Sequence, residues 1–272
     1  MYVSCSSLGC AKAAYPTVGD ALGRIRELGF RTVDLAAFEG WQHVNPSELA
    51  AGGEAAIDEL AGTIADSHLA VGSINCGMSV AITADDGEAF AQYRREFQAL
   101  LALAGRIGCG NLTIQPGEPV EARDAAGVLS LVADRAGELG EMAKARGVSV
   151  GIEAHQGSIL EDPAVAARMV AELCPAVGIT YDPSHFAMQS IPLGETEALL
   201  ARTVHVHVRN AAPGAMQATY ADGAVDFDAL IAALARHGYD GPVAIEYFNA
   251  FDADFASTLA LRDRLVALGV TP

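Results

Sequence analysis

The sequence predicts an α/β fold, a single (β/α)8 TIM barrel that comprises residues 1–272. Short runs rich in β-branched residues alternate with longer segments of helical period, and eight such strand–helix pairs follow one another. Eight pairs in 272 residues leave 34 residues for each pair, which is enough for one strand, one helix and two loops. No linker or change in composition separates the pairs, which favours one closed barrel over an open sheet.

Each predicted strand is short and ends at or near a polar residue. The strands span residues 2–6, 31–35, 70–75, 111–115, 149–153, 178–182, 204–209 and 243–247. Several of the intervening helices stop at a glycine, such as Gly29 and Gly108. Glycine accepts the left-handed backbone conformation that ends many helices, so these positions mark helix ends.

The later strands alternate between apolar and polar residues. In the run from Val204 to Arg209, every second residue is valine, and the residues between the valines are His205 and His207. Because strand residues point alternately to the two faces, the valines are predicted to face the helices and the polar residues the barrel interior. The fifth, sixth and eighth strands alternate in the same way.

Four residues that can bind a metal lie at or near the carboxyl ends of the last four strands, on the inward face. They are Glu153, Asp182, His207 and Glu246. These strands are neighbours in a barrel, so the four side chains should converge at the rim where TIM-barrel active sites lie. Three crowded carboxylates would raise one another's pKa values, whereas a divalent cation keeps all three ionised. The sequence therefore predicts one divalent metal ion; the donors suit Mn²⁺, Mg²⁺ or Co²⁺, and Zn²⁺ also fits.

Composition argues against nucleic-acid and membrane partners. Acidic residues outnumber basic ones 34 to 17, and the net charge of -17 would repel a phosphate backbone. No run reaches the ~18 consecutive apolar residues of a membrane span. The first residues do not form a secretion signal, and the five cysteines contain no CxxC pair and are predicted to be reduced core thiols. A cytoplasmic location is the resulting prediction.

The segments GIEAHQGS, ITYDPSHF, HVHVRN and GYDGPVAIEY resemble the metal-binding motifs of the sugar phosphate isomerase/epimerase family, the xylose isomerase-like TIM barrels. The resemblance covers essentially the whole chain, and its specific part spans residues 148–249. It implies that the four residues named above bind one divalent metal, with manganese as the first expectation. It also implies that His185 contacts a substrate oxygen, that the partner is a small-molecule sugar or sugar derivative, and that the chain forms a homodimer or homotetramer.

The resemblance implies an isomerase or epimerase that acts on a small keto or aldo sugar through a metal-stabilised enediolate. Glu153 and Glu246 are the expected base and acid. Return of the proton to the opposite face epimerises the centre, and return to the adjacent carbon moves the carbonyl. A metal-dependent lyase or dehydratase, which expels a β-hydroxyl from the same enolate, is the alternative. A barrel that binds a sugar without catalysis is a third hypothesis.

Three positions depart from relatives of the same fold. The ketohexose 3-epimerases carry a substrate-binding arginine six residues after the ligand histidine, where this chain has Pro213. Arg209 is the nearest arginine, and it is expected either to hold a substrate hydroxyl, carboxylate or phosphate, or to pair with a rim carboxylate. Endonuclease IV needs three zinc ions, but Gln115 and Asn75 stand at two of the positions that would complete such a site, so DNA repair is not predicted.

Other polar residues near the predicted rim are candidates to hydrogen-bond a polyol, and each is equally suited to satisfy buried backbone groups. They are His155, Gln115, Asn75 and Gln217. The loop after the second strand contains Phe38, Trp41 and His43. These rings either wall a sugar pocket, form a subunit contact or pack as the loop's own small core.

Overall fold

The structure, a computed structural model, describes residues 1–84, 86–118 and 125–272. Eight parallel strands form a closed barrel in chain order, and β1 pairs with β8 to close it. The strands are β1 (Tyr2–Ser6), β2 (Thr32–Phe38), β3 (Ala70–Gly77), β4 (Asn111–Ile114), β5 (Ser149–Glu153), β6 (Gly178–Tyr181), β7 (Thr203–Val208) and β8 (Pro242–Ile245). The predicted TIM-barrel fold is confirmed.

Helices connect successive strands around the outside of the barrel. In the described residues they are α1 (Val18–Glu27), α2 (Pro46–Asp66), α3 (Gly87–Ile107), α4 (Ala125–Lys144), α5 (Pro163–Arg168), α6 (Pro183–Ala187), α7 (Leu193–Leu200), α8 (Phe227–Arg236) and α9 (Ala256–Ala267). A π-helical turn, Met169–Leu173, continues α5. Thr17 and Asp20 form a capping box that starts α1, and Gly108 ends α3 with φ 70° as predicted.

All eight predicted strands are present, and their bounds differ by a few residues. Strand β2 continues to Phe38, three residues beyond the predicted end, because its last residues stay paired with β3. Strand β8 ends at Ile245, so Glu246 is the first residue after it. The Glu246 backbone N–H nevertheless donates to Val208 O at 3.0 Å, which keeps the rim at this point continuous with the sheet.

The barrel interior is polar, as the alternation of the later strands predicts. Thr113 of β4 and Thr180 of β6 share a hydrogen bond of 2.8 Å across the interior. The prediction for Val204 is wrong, because its side chain lies beside the inward-facing Gly178 rather than among the helices. The register between β6 and β7 shifts at this point, and the resulting bulge turns Val204 inward.

The five cysteines are buried and free, as predicted for core thiols. They belong to the apolar layer between the sheet and the surrounding helices. Across the described part of the chain, no helix combines the length and the apolar character that a membrane crossing requires. The cytoplasmic location stays a prediction.

Candidate active site

A cavity of about 340 Å³ lies at the carboxyl-terminal rim of the barrel. Its wall contains most of the predicted site residues together with apolar ones: Leu8, Phe38, Trp41, Asn75, Gln115, Glu153, His155, Gln156, His185, Arg209, Met216, Glu246 and Phe248. A larger apolar cavity of about 490 Å³ lies outside the barrel and contains none of the predicted site residues. The chemistry-bearing side chains therefore face the smaller cavity.

Two glutamates from opposite parts of the rim meet at one histidine. His207 Nδ1 lies 3.2 Å from Glu153 Oε1 and 3.6 Å from Glu246 Oε1. One ligand atom from each of these three residues falls within 4.8 Å of the others, which is the separation of groups that share a cation. All three side chains are buried. The structure thus brings together three of the four predicted metal ligands.

Asp182, the fourth predicted ligand, is fully buried and belongs to a second, overlapping group with Glu153 and His185. Its Oδ1 accepts a hydrogen bond from Ser184 N at 2.8 Å and caps α6, which fixes the carboxylate at the end of β6. Its Oδ2 lies 2.9 Å from Arg209 Nη2, but no described donor points at this oxygen. A buried carboxylate oxygen without a directed donor is available to a cation.

Arg209 lies between Asp182 and Glu246. Its Nη1 donates to Glu246 Oε2 at 2.5 Å and to Glu246 O at 3.1 Å, and Nη2 is the atom close to Asp182. The guanidinium carbon is 5.2 Å from the centre of the Phe248 ring, and the residue is 1% exposed. Of the two roles expected for this arginine, the structure shows the ion pair with rim carboxylates.

The side-chain amides of Gln115 and Asn75 also connect the two glutamates through hydrogen bonds. Gln115 Nε2 donates to Glu153 Oε2 at 3.1 Å and to Asn75 Oδ1 at 3.2 Å. Asn75 Nδ2 then donates to Glu246 Oε1 at 3.0 Å. Both predicted polyol contacts therefore orient the two carboxylates, and Gln115 and Asn75 also line the cavity.

The environments of the two glutamates drive their pKa values apart. Burial raises the pKa of Glu246 to about 7, since Glu153 and Asp182 add to the effect and His207 and Arg209 offset it only in part. Burial would also raise the pKa of Glu153, but the hydrogen bond and positive charge of His207 outweigh it and hold the pKa below the usual range. Near neutral pH, one carboxyl is ionised and the other holds a proton for much of the time.

The pKa values of the two histidines of the site are also displaced in opposite directions. Burial lowers the pKa of His207, but the carboxylates of Glu246 and Asp34 outweigh it and raise the value well above that of a free imidazole. Burial lowers the pKa of His185 to about 4, with only partial compensation from Asp182. His185 Nε2 accepts a hydrogen bond from Arg209 Nη2 at 3.1 Å, since an arginine can only donate.

The remaining predicted residues lie farther from the carboxylates. His155 lines the cavity, with its ring 5.5 Å from that of His185. Gln217 is absent from the cavity wall, and its Oε1 accepts from Phe248 N at 3.0 Å. Gln217 therefore takes the alternative that the sequence analysis left open, because it satisfies a backbone donor at the rim.

The rim loop after β2 brings aromatic rings to the cavity mouth. Trp41 packs edge-on against Phe38 at 5.3 Å and against Phe248 at 5.8 Å, measured between ring centres. We call these three residues the aromatic rim. Trp41 remains 52% exposed although it lines the cavity. His43 faces away, and its Nε2 contacts Tyr15 O at 2.5 Å.

The sequence did not single out Asp34 as a site residue, and it predicted an inward position but no role for His205. Asp34 on β2 is fully buried, and its Oδ2 lies 3.0 Å from His207 Nε2. His205 Nε2 is 3.5 Å from Asp34 Oδ1. One signal was present: Asp34 is the only charged residue of the run TVDLAAF, and an aspartate within a buried strand rarely lacks a partner.

The residues present fit a divalent cation. Three buried carboxylates face a single guanidinium, and Asp182 Oδ2 accepts no directed hydrogen bond from the described residues. Oxygen donors with one imidazole form a hard ligand set of the kind that Mg²⁺ and Mn²⁺ favour. Glu153, Asp182, His207 and Glu246 are the residues that would hold it.

The chain belongs to the xylose isomerase-like TIM barrel family, because residues 22–263 match the sequence profile of that family. No curated protein sequence matches the chain significantly.

Solved structures of the same fold share few residues with this chain. The 3-keto-D-glucoside 4-epimerase YcjR from E. coli is 20% identical with a TM-score of 0.72, and the match covers 98% of each chain. A xylose isomerase-like TIM barrel protein from Mycobacterium smegmatis in complex with magnesium is 19% identical with a TM-score of 0.74, over 98% of this chain and 96% of that one. The probable 3-DHS dehydratase AsbF from Bacillus anthracis is 16% identical with a TM-score of 0.73, over 98% and 99%. These similarities establish the fold.

Proposed function

We propose that this protein is a divalent-metal-dependent isomerase or epimerase of a small keto or aldo sugar or sugar derivative. The observation that carries the proposal is the pair Glu153 and Glu246, which come from opposite parts of the rim, flank His207 Nδ1 and both line the cavity. Two carboxyl groups on opposite sides of a substrate can remove a proton from carbon and return one to it. Family membership and the metal-binding donor set support the same proposal.

The proposed reaction begins at a carbon next to a carbonyl. The ionised Glu153 takes the proton from this carbon, and the electron pair of the broken C–H bond passes to the carbonyl oxygen to form an enediolate. Glu246, once it has taken up a proton from solvent, then gives that proton to carbon. Protonation of the same carbon on the opposite face re-forms the original carbonyl and epimerises the centre. Protonation of the former carbonyl carbon, with the proton of the neighbouring hydroxyl passing to the former carbonyl oxygen, forms the new carbonyl and isomerises the sugar. When bound, a divalent cation would polarise the carbonyl and its neighbouring hydroxyl.

The other residues of the cavity bind and shield the substrate. The ring of His185 and the amides of Gln115 and Asn75 line the cavity, and we expect them to contact substrate hydroxyl groups around the two glutamates. Trp41 offers an exposed ring against which the C–H face of a sugar can pack. Arg209, already paired with two carboxylates, keeps these groups in place.

The first expectation for the metal is Mn²⁺, while Mg²⁺, Co²⁺ and Zn²⁺ also suit the donors. The magnesium complex of a protein with this fold supports a hard divalent cation. The predicted homodimer or homotetramer is a separate proposal, which the mass of the protein in solution tests.

A lyase or dehydratase is the second candidate. Its support is that the probable dehydratase AsbF is as similar in fold to this chain as the epimerase is. In that reaction Glu246 would protonate a leaving hydroxyl two carbons from the carbonyl instead of a carbon atom. The product would then be lighter than the substrate by one water molecule.

The test is a substrate screen in D₂O with metal-free protein, to which Mn²⁺, Mg²⁺, Co²⁺ or Zn²⁺ is added. Ketoses, inososes and 3-keto glycosides are the compounds to include. An isomerase or epimerase gives a product with carbon-bound deuterium and no loss of water, whereas a dehydratase gives the lighter product. Binding without turnover under every metal would contradict both enzymes and favour the sugar-binding barrel.

Two variants connect the activity to the site. Glu153→Gln and Glu246→Gln should each lower turnover by about 10²- to 10⁴-fold, the usual contribution of a general acid or base. The matched control is Glu161→Gln, because Glu161 is exposed on the loop that follows Glu153 and, among the described residues, its side chain accepts a hydrogen bond from Gly157 N alone. Full activity in either test variant would contradict the assignment.

A further inference from the structure

Asp34 is a fully buried carboxylate in the barrel wall that the proposed reaction does not use. It stands on β2, in register with Ser6 of β1 and Ser73 of β3. The register between β2 and β3 shifts at this residue. Gly72 of β3 therefore has no partner on β2, and Ser73 pairs with Asp34. Bulges of this kind redirect side chains. A charge held so deeply is costly unless specific partners compensate it.

Its partners are two imidazoles of β7. Asp34 Oδ2 lies 3.0 Å from His207 Nε2, and Oδ1 lies 3.5 Å from His205 Nε2. The two rings meet edge to face, with centres 4.7 Å apart and an interplanar angle of 89°. The carboxylate therefore lies below His207, on the side of the ring opposite to the cavity, and the His205 ring packs against that of His207.

This placement decides which nitrogen of His207 keeps its proton when the other nitrogen binds a cation. A carboxylate oxygen only accepts, so the close contact at Nε2 requires an N–H there. The other nitrogen, Nδ1, faces Glu153 and Glu246 at 3.2 and 3.6 Å. With Nε2 protonated and held, Nδ1 is the atom left to present a lone pair to a cation among the carboxylates.

We infer that Asp34 is a positioning residue of the metal centre: it holds His207 with Nε2 protonated and aims Nδ1 at the cation. The inference rests on the proposed function, because it assumes that a divalent cation binds at Glu153, His207 and Glu246. Outer carboxylates of this kind raise metal affinity by fixing both the tautomer and the direction of the ligand ring.

The test compares the Mn²⁺ and Mg²⁺ affinities of the unaltered protein and Asp34→Asn by calorimetry. Asparagine keeps the shape but removes the charge, and its amide nitrogen can donate to Nε2, which would move the His207 proton to Nδ1. Loss of an outer carboxylate should weaken metal binding by about 10- to 100-fold. Binding within about twofold of the unaltered protein would overturn the inference.

Glu96→Gln is the matched control. Glu96 on α3 is another fully buried carboxylate, and it accepts hydrogen bonds from Ser79 N at 2.8 Å and from Gln92 Nε2 at 2.7 Å, outside the barrel interior. Its loss should lower thermal stability but leave metal affinity unchanged. A comparable loss of metal affinity in both variants would show that Asp34 acts only through stability, and would overturn the inference.

A second measurement needs no variant and applies even where Asp34→Asn does not fold. Long-range ¹H–¹⁵N NMR of the Mg²⁺-loaded protein should show the His207 proton on Nε2, protected from exchange, with Nδ1 unprotonated. A proton on Nδ1 would overturn the inference. Failure of the proposed function looks different, because the unaltered protein itself would then bind no stoichiometric metal in calorimetry.

Discussion

The guanidinium of Arg209 lies against the carboxylate of Glu246, with Nη1 2.5 Å from Oε2. It also approaches Asp182, so a fixed positive charge is shared between two of the four proposed metal ligands. Arg209 and a divalent cation can therefore each neutralise the negative charge of the same two carboxylates. This relationship has consequences for stability and for metal affinity.

Replacement of Arg209 should separate these two effects. In Arg209→Met the metal-free protein loses a buried ion pair, which costs about 3–5 kcal/mol of unfolding free energy. Metal affinity should rise at least about tenfold, because a competing positive charge is gone from the site. Thermal unfolding with and without Mn²⁺, together with calorimetric titration, measures both.

The control for that variant is Arg135→Met. Arg135 donates to Ile82 O and Ala84 O and stacks on Phe90, away from the cavity. Arg135→Met should lower the free energy of unfolding equally in the presence and in the absence of metal. Weaker metal binding in Arg209→Met would contradict the competition and would make Arg209 a necessary part of the centre.

Metal uptake should depend on pH through Glu246. Its pKa is raised to about 7, so below that pH the carboxyl holds a proton that the cation must displace. Affinity should increase between about pH 6 and about pH 8, by about tenfold per unit for each proton released. Calorimetry in buffers of different ionisation enthalpy counts these protons. Glu246→Gln should release fewer protons when metal binds. A metal affinity that does not change with pH in the unaltered protein would contradict the prediction.

Trp41 is the only tryptophan of the chain and stands at the cavity mouth, so its fluorescence reports directly on ligand binding. Trp41→Ala should raise KM by up to about tenfold, the equivalent of one aromatic contact, with little change in kcat. Phe251→Ala is the control, since Phe251 is also exposed but stacks on Tyr247 and does not line the cavity. An unchanged KM in Trp41→Ala would remove the aromatic rim from the substrate site.

His185 distinguishes the two overlapping ligand groups. The proposed centre uses His207, so His185→Ala should weaken substrate binding more than metal binding. Metal titration and KM of the same variant measure the two losses. Equal losses would instead indicate a cation held by Glu153, Asp182 and His185.

The residues that sequence analysis placed correctly are those that local rules determine. Side-chain alternation of period two put His207 and Arg209 inside the barrel, and strand ends put Glu153 and Asp182 at the rim. The role of Asp34 could not be predicted from such local rules, because Asp34 and His207, which it contacts, are 173 positions apart in the sequence.

Register shifts account for other differences. The bulge between β6 and β7 turns Val204 into the barrel although alternation assigns it to the helices. Gln217 lies in a loop whose path no periodic pattern describes, and the structure uses its carbonyl for the Phe248 backbone. Bulges and loops depend on contacts between distant segments, which one strand's sequence does not contain.

The most direct test of the metal centre is anomalous diffraction from crystals soaked in Mn²⁺. We predict one strong peak in each chain, within about 2.0–2.4 Å of oxygen or nitrogen atoms from Glu153, Asp182, His207 and Glu246. A peak that leaves out His207, or no peak in this cavity, would contradict the proposed centre.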